Sequence, residues 1–192
     1  MDDRQASKRT KKVPRPLDAA KLEELALAYV ARFATSAMKV ERYLQRKVRE
    51  RGWAGDEEPE IRALVRRFVE RGYIDDAAYA RAKSSDLLRR GYGARRVNQA
   101  LGQAGIGESV RSDVAPEEAA KRRAAIHMAR KRGFGPFAPA PVDRDKREKQ
   151  IAAMLRAGHT FDHVRFILDT AEEQAVDRWL AEVEEDGDDF VA

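Results

Sequence analysis

The sequence contains no cysteine. That excludes a disulfide framework, thiolate metal sites and a cysteine nucleophile. Only three histidines occur among 192 residues, so nucleophile–base sets are scarce. His159 and His163 lie four apart with Asp162 between them, but Thr160 reads as a helix N-cap, which leaves His159 outside the helix with no third ligand in view. No metal site and no cofactor are expected. His127 reads as a helix-surface residue, and Trp53 and Trp179 read as packing or interface anchors. The glycine pairs Gly91-Tyr92-Gly93 and Gly133-Phe134-Gly135 lack a preceding strand and a following Gly-Lys-Ser/Thr, so neither is a phosphate-cradling loop. No carboxylate constellation recurs at a turn, which leaves a hydrolase or nuclease the weakest reading. No apolar run approaches the roughly 20 residues a bilayer span needs. The N-terminal MDDRQASKRTKKVPRP is basic with no apolar segment after it, unlike a secretory signal. A soluble cytoplasmic protein, no enzyme and not membrane-bound, is the expectation.

What is present is charge, unevenly placed. Charged residues make up 37% of the chain and hydrophobic residues 43%, polar for a globule and suited to a narrow, extended shape. The net charge is +5, yet residues 169–192 hold ten acidic residues and one arginine, a net of −9, so residues 1–168 carry +14. A basic body suggests a polyanionic partner. The acidic end reads as a screen for that surface, as a contact for a basic partner, or simply as a solubilising segment.

From residue 19 onward the apolar residues recur at helical spacing, as in Leu22, Leu25, Ala26, Tyr29, Val30 and Phe33. No stretch alternates with period two, so no sheet is expected. Gly52, Gly72, Gly91, Gly105, Gly133 and Gly158 sit where helices should stop. Four of them follow an arginine, as a C-cap glycine beside a last-turn cation would. Pro116 followed by Glu117 and Glu118 marks a helix start. Three windows align without gaps: 30–44 (VARFATSAMKVERYL), 87–101 (LLRRGYGARRVNQAL) and 154–168 (MLRAGHTFDHVRFIL). The first column is Val30, Leu87 and Met154, and the third is arginine throughout, Arg32, Arg89 and Arg156. Ser36, Gly93 and Thr160 share an N-cap-like column. Ala37/Val40/Leu44, Ala94/Val97/Leu101 and Phe161/Val164/Leu168 trace one helical face. Each window reads as helix, tight turn, helix, with a third helix following over 57–71, about 107–114 and about 172–185. The fold class expected is all-α: three tandem three-helix repeats forming an elongated, curved body. The divisions are a flexible basic arm (1–18), repeat 1 (19–74), repeat 2 (75–115), repeat 3 (116–186, with a Pro-rich linker at 133–143) and a tail (187–192).

The strongest local signal is YIDDAAYARAKSSDLLRRGYGARRVNQALGQAGI, residues 73–106. Arg89, Arg90, Arg95 and Arg96 frame its turn, and Tyr92 stands among them. Four guanidinium groups suit phosphates or an acidic protein surface, and the ring suits stacking or interface burial. This stretch resembles the central repeat of RecX proteins, and FVERGYIDDAAYA (68–80) resembles the family's lead-in. LALAYVARFATSAMKVERYLQRK resembles its N-terminal unit, and AAIHMARKRGFG through LRAGHTFDHVRFIL has the layout of its third. The likeness covers about residues 20–170. There are departures. The family's usual Glu-Leu in the second helix is Lys39-Val40 in repeat 1 and Ala100-Leu101 in repeat 2. A frequent Lys is Ala104. The third repeat's usual arginine and aromatic around its glycine are Ala157 and His159. These changes remove charged contacts and leave the apolar columns intact.

The resemblance implies a non-enzymatic regulator that binds the RecA nucleoprotein filament along its groove and inhibits ATP hydrolysis and strand exchange. The expected contact residues are Arg32, Arg89, Arg90, Tyr92, Arg95, Arg96 and Arg156. Direct DNA contact through the basic surface and a monomeric state complete the expectation. Two rivals remain: a stand-alone helical DNA-binding protein, although no recognition helix is identifiable, and a scaffold that recruits a partner through its acidic tail.

Overall fold

The computed structural model describes residues 15–188, with side chains placed to residue 185. Residues 1–14, most of the expected basic arm, and 189–192, most of the expected tail, lie outside the described residues. The described residues form ten α-helices, one short 3₁₀ turn and no strand. The protein is all-α and built from helical repeats. The chain divides into two units, residues 1–74 and 75–192.

The first unit holds α1 (Ala19–Arg32), α2 (Ala37–Arg51) and α3 (Ile61–Glu70). Asp18 caps α1, its side chain accepting from the Lys21 amide at 2.7 Å, and Ser36 caps α2. Both satisfy amides that the first helical turn leaves without carbonyl partners. The third helix starts four residues later than its sequence pattern suggests, two residues beyond Pro59. Leu22, Ala26, Val40, Leu44, Ile61, Leu64, Val65, Phe68 and Ile74 make the core. Leu17 joins them, fully buried. Its amide donates to the Gly52 carbonyl and its carbonyl accepts from the Ala54 amide. The last residues of the expected arm, Leu17 and Asp18, are therefore structural: one fills the core and the other caps a helix.

The second unit begins with α4 (Asp76–Arg89), α5 (Ala94–Gln103) and α6 (Glu108–Asp113). It continues with α7 (Glu118–Arg132), the 3₁₀ turn Gly135–Phe137, α8 (Arg144–Arg156), α9 (Phe161–Asp169) and α10 (Glu173–Asp188). The stretch expected as repeat 3 therefore holds a fourth helix, α7, ahead of its helix–turn–helix–helix. The α7 helix packs on α4, α9 and α10. Its small residues Ala124, Ala125 and Ala129 are buried and let these neighbours approach. The expected Pro-rich linker is not a free tether. Phe134 and Phe137 pack against the core cluster of Ile126, Met154, Val164, Ile167 and Trp179. The backbone at Gly135 runs so close to α9 that a Cβ there would lie 2.6 Å from the Ile167 carbonyl oxygen.

The helix-stop glycines Gly52, Gly72, Gly91, Gly105, Gly133 and Gly158 all adopt positive φ. The repeat columns fall where a common face requires, with one exception. Val40, Leu44, Val97, Leu101, Val164 and Leu168 are buried. Phe161, aligned with the half-buried Ala37 and Ala94, is instead 57% exposed. It sits at the first position of α9, outside the buried stripe that begins at His163.

Candidate interaction surface

The turns of repeats 2 and 3 dock on one another. The Gly93 amide donates to the Ala157 carbonyl at 2.9 Å, and the Arg95 amide donates to the Gly158 carbonyl at 3.2 Å. A Cβ on Gly93 would lie 2.3 Å from the Gly158 carbonyl carbon and oxygen, and a Cβ on Gly158 would lie 2.4 Å from the Arg96 amide nitrogen. Only glycine permits this approach, and at Gly158 a φ of +95° demands it independently. Tyr92 packs against both core clusters of the unit, so the ring the sequence offers as a stacking group is half spent on internal packing.

His159 locks the joint. It is 1% exposed, and its Nε2 lies 3.0 Å from the Gly91 carbonyl oxygen. That acceptor requires the proton on Nε2, which leaves Nδ1 bare and without a partner. Burial is the main cause that pushes its pKa down to about 4; the hydrogen bond to Gly91 opposes the shift and His163 adds to it. His159 is thus a neutral structural residue. His163 is also buried. Its Nε2 donates to Glu118 Oε1 at 2.7 Å. Burial works to raise the Glu118 pKa, but the bonds from His163, Arg122 and Lys121 outweigh it and hold the carboxyl below its usual range. The two histidines serve different partners, and the described residues contain no group of three or more His, Cys, Asp or Glu placed to hold a metal.

Around this joint the expected contact residues are gathered in part. Arg89, Arg90, Arg95, Arg96 and Arg156 are all exposed and lie within four residues of the docked glycines. Arg89 donates to Ser85 Oγ at 2.9 Å and Arg96 to Gln99 Oε1 at 2.8 Å, both neutral acceptors. Arg90 reaches Asp86 at 3.6 Å and sits 5.5 Å from the Tyr92 ring centroid. Among the described residues, Arg89, Arg95, Arg96 and Arg156 have no carboxylate in ion-pair range. Arg32 is exposed at the end of α1, in the first unit.

The arginines of α7 are in the opposite situation. Arg130 pairs with Asp177 at 3.2 Å, Arg122 with Glu182 at 3.4 Å, and Arg123 with Glu184. The acidic helix α10 lies along the basic helix α7. Arg122 also donates to the Trp179 carbonyl and places its guanidinium 4.5 Å from the Trp179 ring centroid. The sequence motifs did not single out Arg122 and Arg123; their partners lie about 60 residues away in the chain.

Comparison with known proteins identifies the frame. Residues 75–114 match the family profile described as the second three-helix domain of RecX. A regulatory protein RecX from Myxococcus xanthus (strain DK1622) is 34% identical over 168 residues, covering 83% of this chain and 90% of the relative. The chain belongs to the RecX family. A second RecX relative, from Vibrio parahaemolyticus serotype O3:K6 (strain RIMD 2210633), is 28% identical over 62% of this chain and 76% of its own length. The fold agrees. The crystal structure of RecX from Lactobacillus salivarius superposes with a TM-score of 0.63 over 80% of this chain and 96% of that one, at 18% identity. RecX relatives are named regulatory proteins, and this chain shares their family and fold. No helix among the described residues is long and apolar enough to cross a membrane.

Proposed function

We propose that this protein binds the RecA recombinase on its DNA filament and restrains ATP hydrolysis and strand exchange, thereby modulating DNA repair and recombination. Membership of the RecX family supports the regulatory role. The observation that carries the surface is the docked joint, which presents Arg89, Arg95, Arg96 and Arg156 with no carboxylate partner on a backbone fixed by two interlocked turns. Guanidinium forks held this way are suited to phosphates and to carboxylates of a protein surface. Arg90 and the exposed edge of Tyr92 extend the patch, and Arg32 offers the same column in repeat 1. Several weak contacts on a repeating filament add through multivalency.

The test is ATP hydrolysis by the cognate RecA on single-stranded DNA, titrated with this protein at one fixed salt concentration. A parallel titration measures binding to the same DNA without RecA. The expected result is inhibition at well below one protein per RecA, at concentrations that leave the DNA alone unbound. Inhibition confined to concentrations that saturate the DNA supports the stand-alone DNA binder instead. Reversing Arg89, Arg90, Arg95 and Arg96 together to Glu should abolish inhibition without loss of helix content. Full inhibition by that variant removes the proposed surface.

A further inference from the structure

A groove of about 370 Å³ opens between α5, α6 and the start of α7. Its volume lies at the lower end of the range for ligand pockets, about 300–1,000 Å³. Its floor is apolar, built from Val97, Leu101, Val114 and Pro116. Arg95, Arg111 and Lys121 stand around it, against a single carboxylate, Glu108. Arg111 donates to the neutral Asn98 Oδ1 at 2.9 Å, and its buried Nε has no acceptor. Lys121 lies 3.4 Å from Glu118, a carboxylate that also serves Arg122 and His163. Arg95 has no carboxylate in ion-pair range among the described residues.

An apolar floor inside a cationic rim matches one kind of occupant, a large apolar side chain flanked by carboxylates. Guanidinium groups take carboxylates in a fixed fork, and arginine clusters read acidic peptide motifs. A nucleic acid fits the rim but not the floor. Bases stack on aromatic rings, and no aromatic residue lines the groove. The second unit already seats one segment of the matching kind on another face. On α10, Trp179 stands between Asp177 and Glu182. Its ring centroid lies 4.5 Å from the Arg122 guanidinium, while the two acids pair with Arg130 and Arg122. No described residue of α10 lines the groove.

We propose that the groove docks an acidic segment of a partner protein. The segment seats one large apolar side chain on Val97, Leu101, Val114 and Pro116 and sets its carboxylates against Arg95, Arg111 and Lys121. Arg95 belongs to both the groove and the joint, so a protein that meets the joint arginines reaches the groove as well. That link rests on the proposed function; the docking itself does not.

The test uses capped pentapeptides Asp-Glu-Xaa-Glu-Asp, with Phe, Leu or Ser as Xaa, titrated into the full chain labelled with nitrogen-15. Amide shifts of Leu101, Ser112 and Ala115 report on the groove. The Phe and Leu peptides should give saturable shifts there, with a Kd below about 1 mM. The Ser peptide should bind on the order of tenfold more weakly, the effect of leaving out one buried large side chain. Ala115→Trp, which fills the groove from an exposed position, should abolish saturation with helix content unchanged. Arg95→Gln combined with Lys121→Gln should weaken binding several-fold. No saturable shift with either apolar peptide overturns the proposal, as does equal binding of the Ser peptide or undiminished binding to the Ala115→Trp variant. Equal shifts from oligothymidylate assign the rim to nucleic acid, and the same shifts on concentrating the protein alone assign the groove to a second copy; either result overturns it too. RecA takes no part in these titrations, so the docking and the filament proposal fail separately.

Discussion

Gly93→Ala tests the joint between the repeats. The glycine has φ −80° and ψ 168°, a conformation alanine adopts freely, so the backbone itself resists nothing. The added methyl would lie 2.3 Å from the Gly158 carbonyl group and 2.4 Å from the His159 amide, where ordinary contact begins at 3.4 Å. All the obstructing atoms are backbone, so the two turns must part by about 1 Å to restore ordinary contact. The 2.9 Å bond from Gly93 to Ala157 and the 3.2 Å bond from Arg95 to Gly158 then exceed hydrogen-bond range. Their loss costs about 1 kcal/mol each. Loosened packing of Tyr92 and His159 adds roughly 1–2 kcal/mol, for a total near 3 kcal/mol. Gly107→Ala is the matched control. Gly107 is also a glycine N-cap with extended backbone, and nothing lies within 4 Å of its Cβ position. It should lose less than about 1 kcal/mol. Urea unfolding followed by circular dichroism measures both. Equal losses for the two variants would falsify the docked-turn account.

Acid should weaken the same joint. His159 in the unfolded chain takes up a proton near pH 6.5, whereas the folded protein resists until about pH 4. Folding stability therefore falls as pH drops from 6.5 to 4 and levels off below, by about 3 kcal/mol in all. His159→Phe should flatten the wild-type curve across that window by this amount; parallel curves for the two proteins would contradict the assignment. Arg122 is 17% exposed and serves Glu118, Glu182, the Trp179 carbonyl and the Trp179 ring at once. Arg122→Ala should cost about 2–3 kcal/mol, measured by urea midpoint against the exposed Arg178→Ala. A loss no greater than the control would show that α10 does not depend on this contact.

Much of the fold is legible in the sequence because its signals are local. The glycine stops need only a positive φ, and the apolar columns need only helical spacing. The α7 helix is different. Neighbours on three sides bury Ala124, Ala125, Ile126, Met128 and Ala129, so no single apolar stripe marks which face is inward. Its Pro116-Glu117-Glu118 start can be read, but not its place as a fourth helix in repeat 3. The Phe134–Phe137 segment reads as a linker because proline is abundant; its burial depends on α9, some 30 residues later. The candidate surface was legible as residue types and not as an arrangement. Gly93 falls in the N-cap-like column of the repeats, and Gly91 and Gly158 are helix stops, but alignment places corresponding positions over each other. It cannot tell that two of those turns touch.

That contact changes what the central motif is for. As a sequence, Arg-Arg-Gly-Tyr-Gly-Ala-Arg-Arg looks like a cationic loop open on all sides. In the fold its glycines are consumed by the partner turn, its carbonyl at Gly91 by His159, and much of Tyr92 by two cores. What remains outward is the arginine side chains and part of the Tyr92 ring. His159 fits this division: its buried ring fills the joint and also donates to the Gly91 carbonyl. Meanwhile the acidic helix α10 pairs with Arg122, Arg123 and Arg130 of α7, whereas Arg89, Arg95, Arg96 and Arg156 at the joint have no carboxylate partner among the described residues. Positive charge is thus largely paired where α10 packs on α7 and left unpaired beside the two docked turns. A surface that must recognise a regular anionic or acidic target benefits from that arrangement, because fixed guanidinium positions lose less freedom on binding than the same groups on a loose loop.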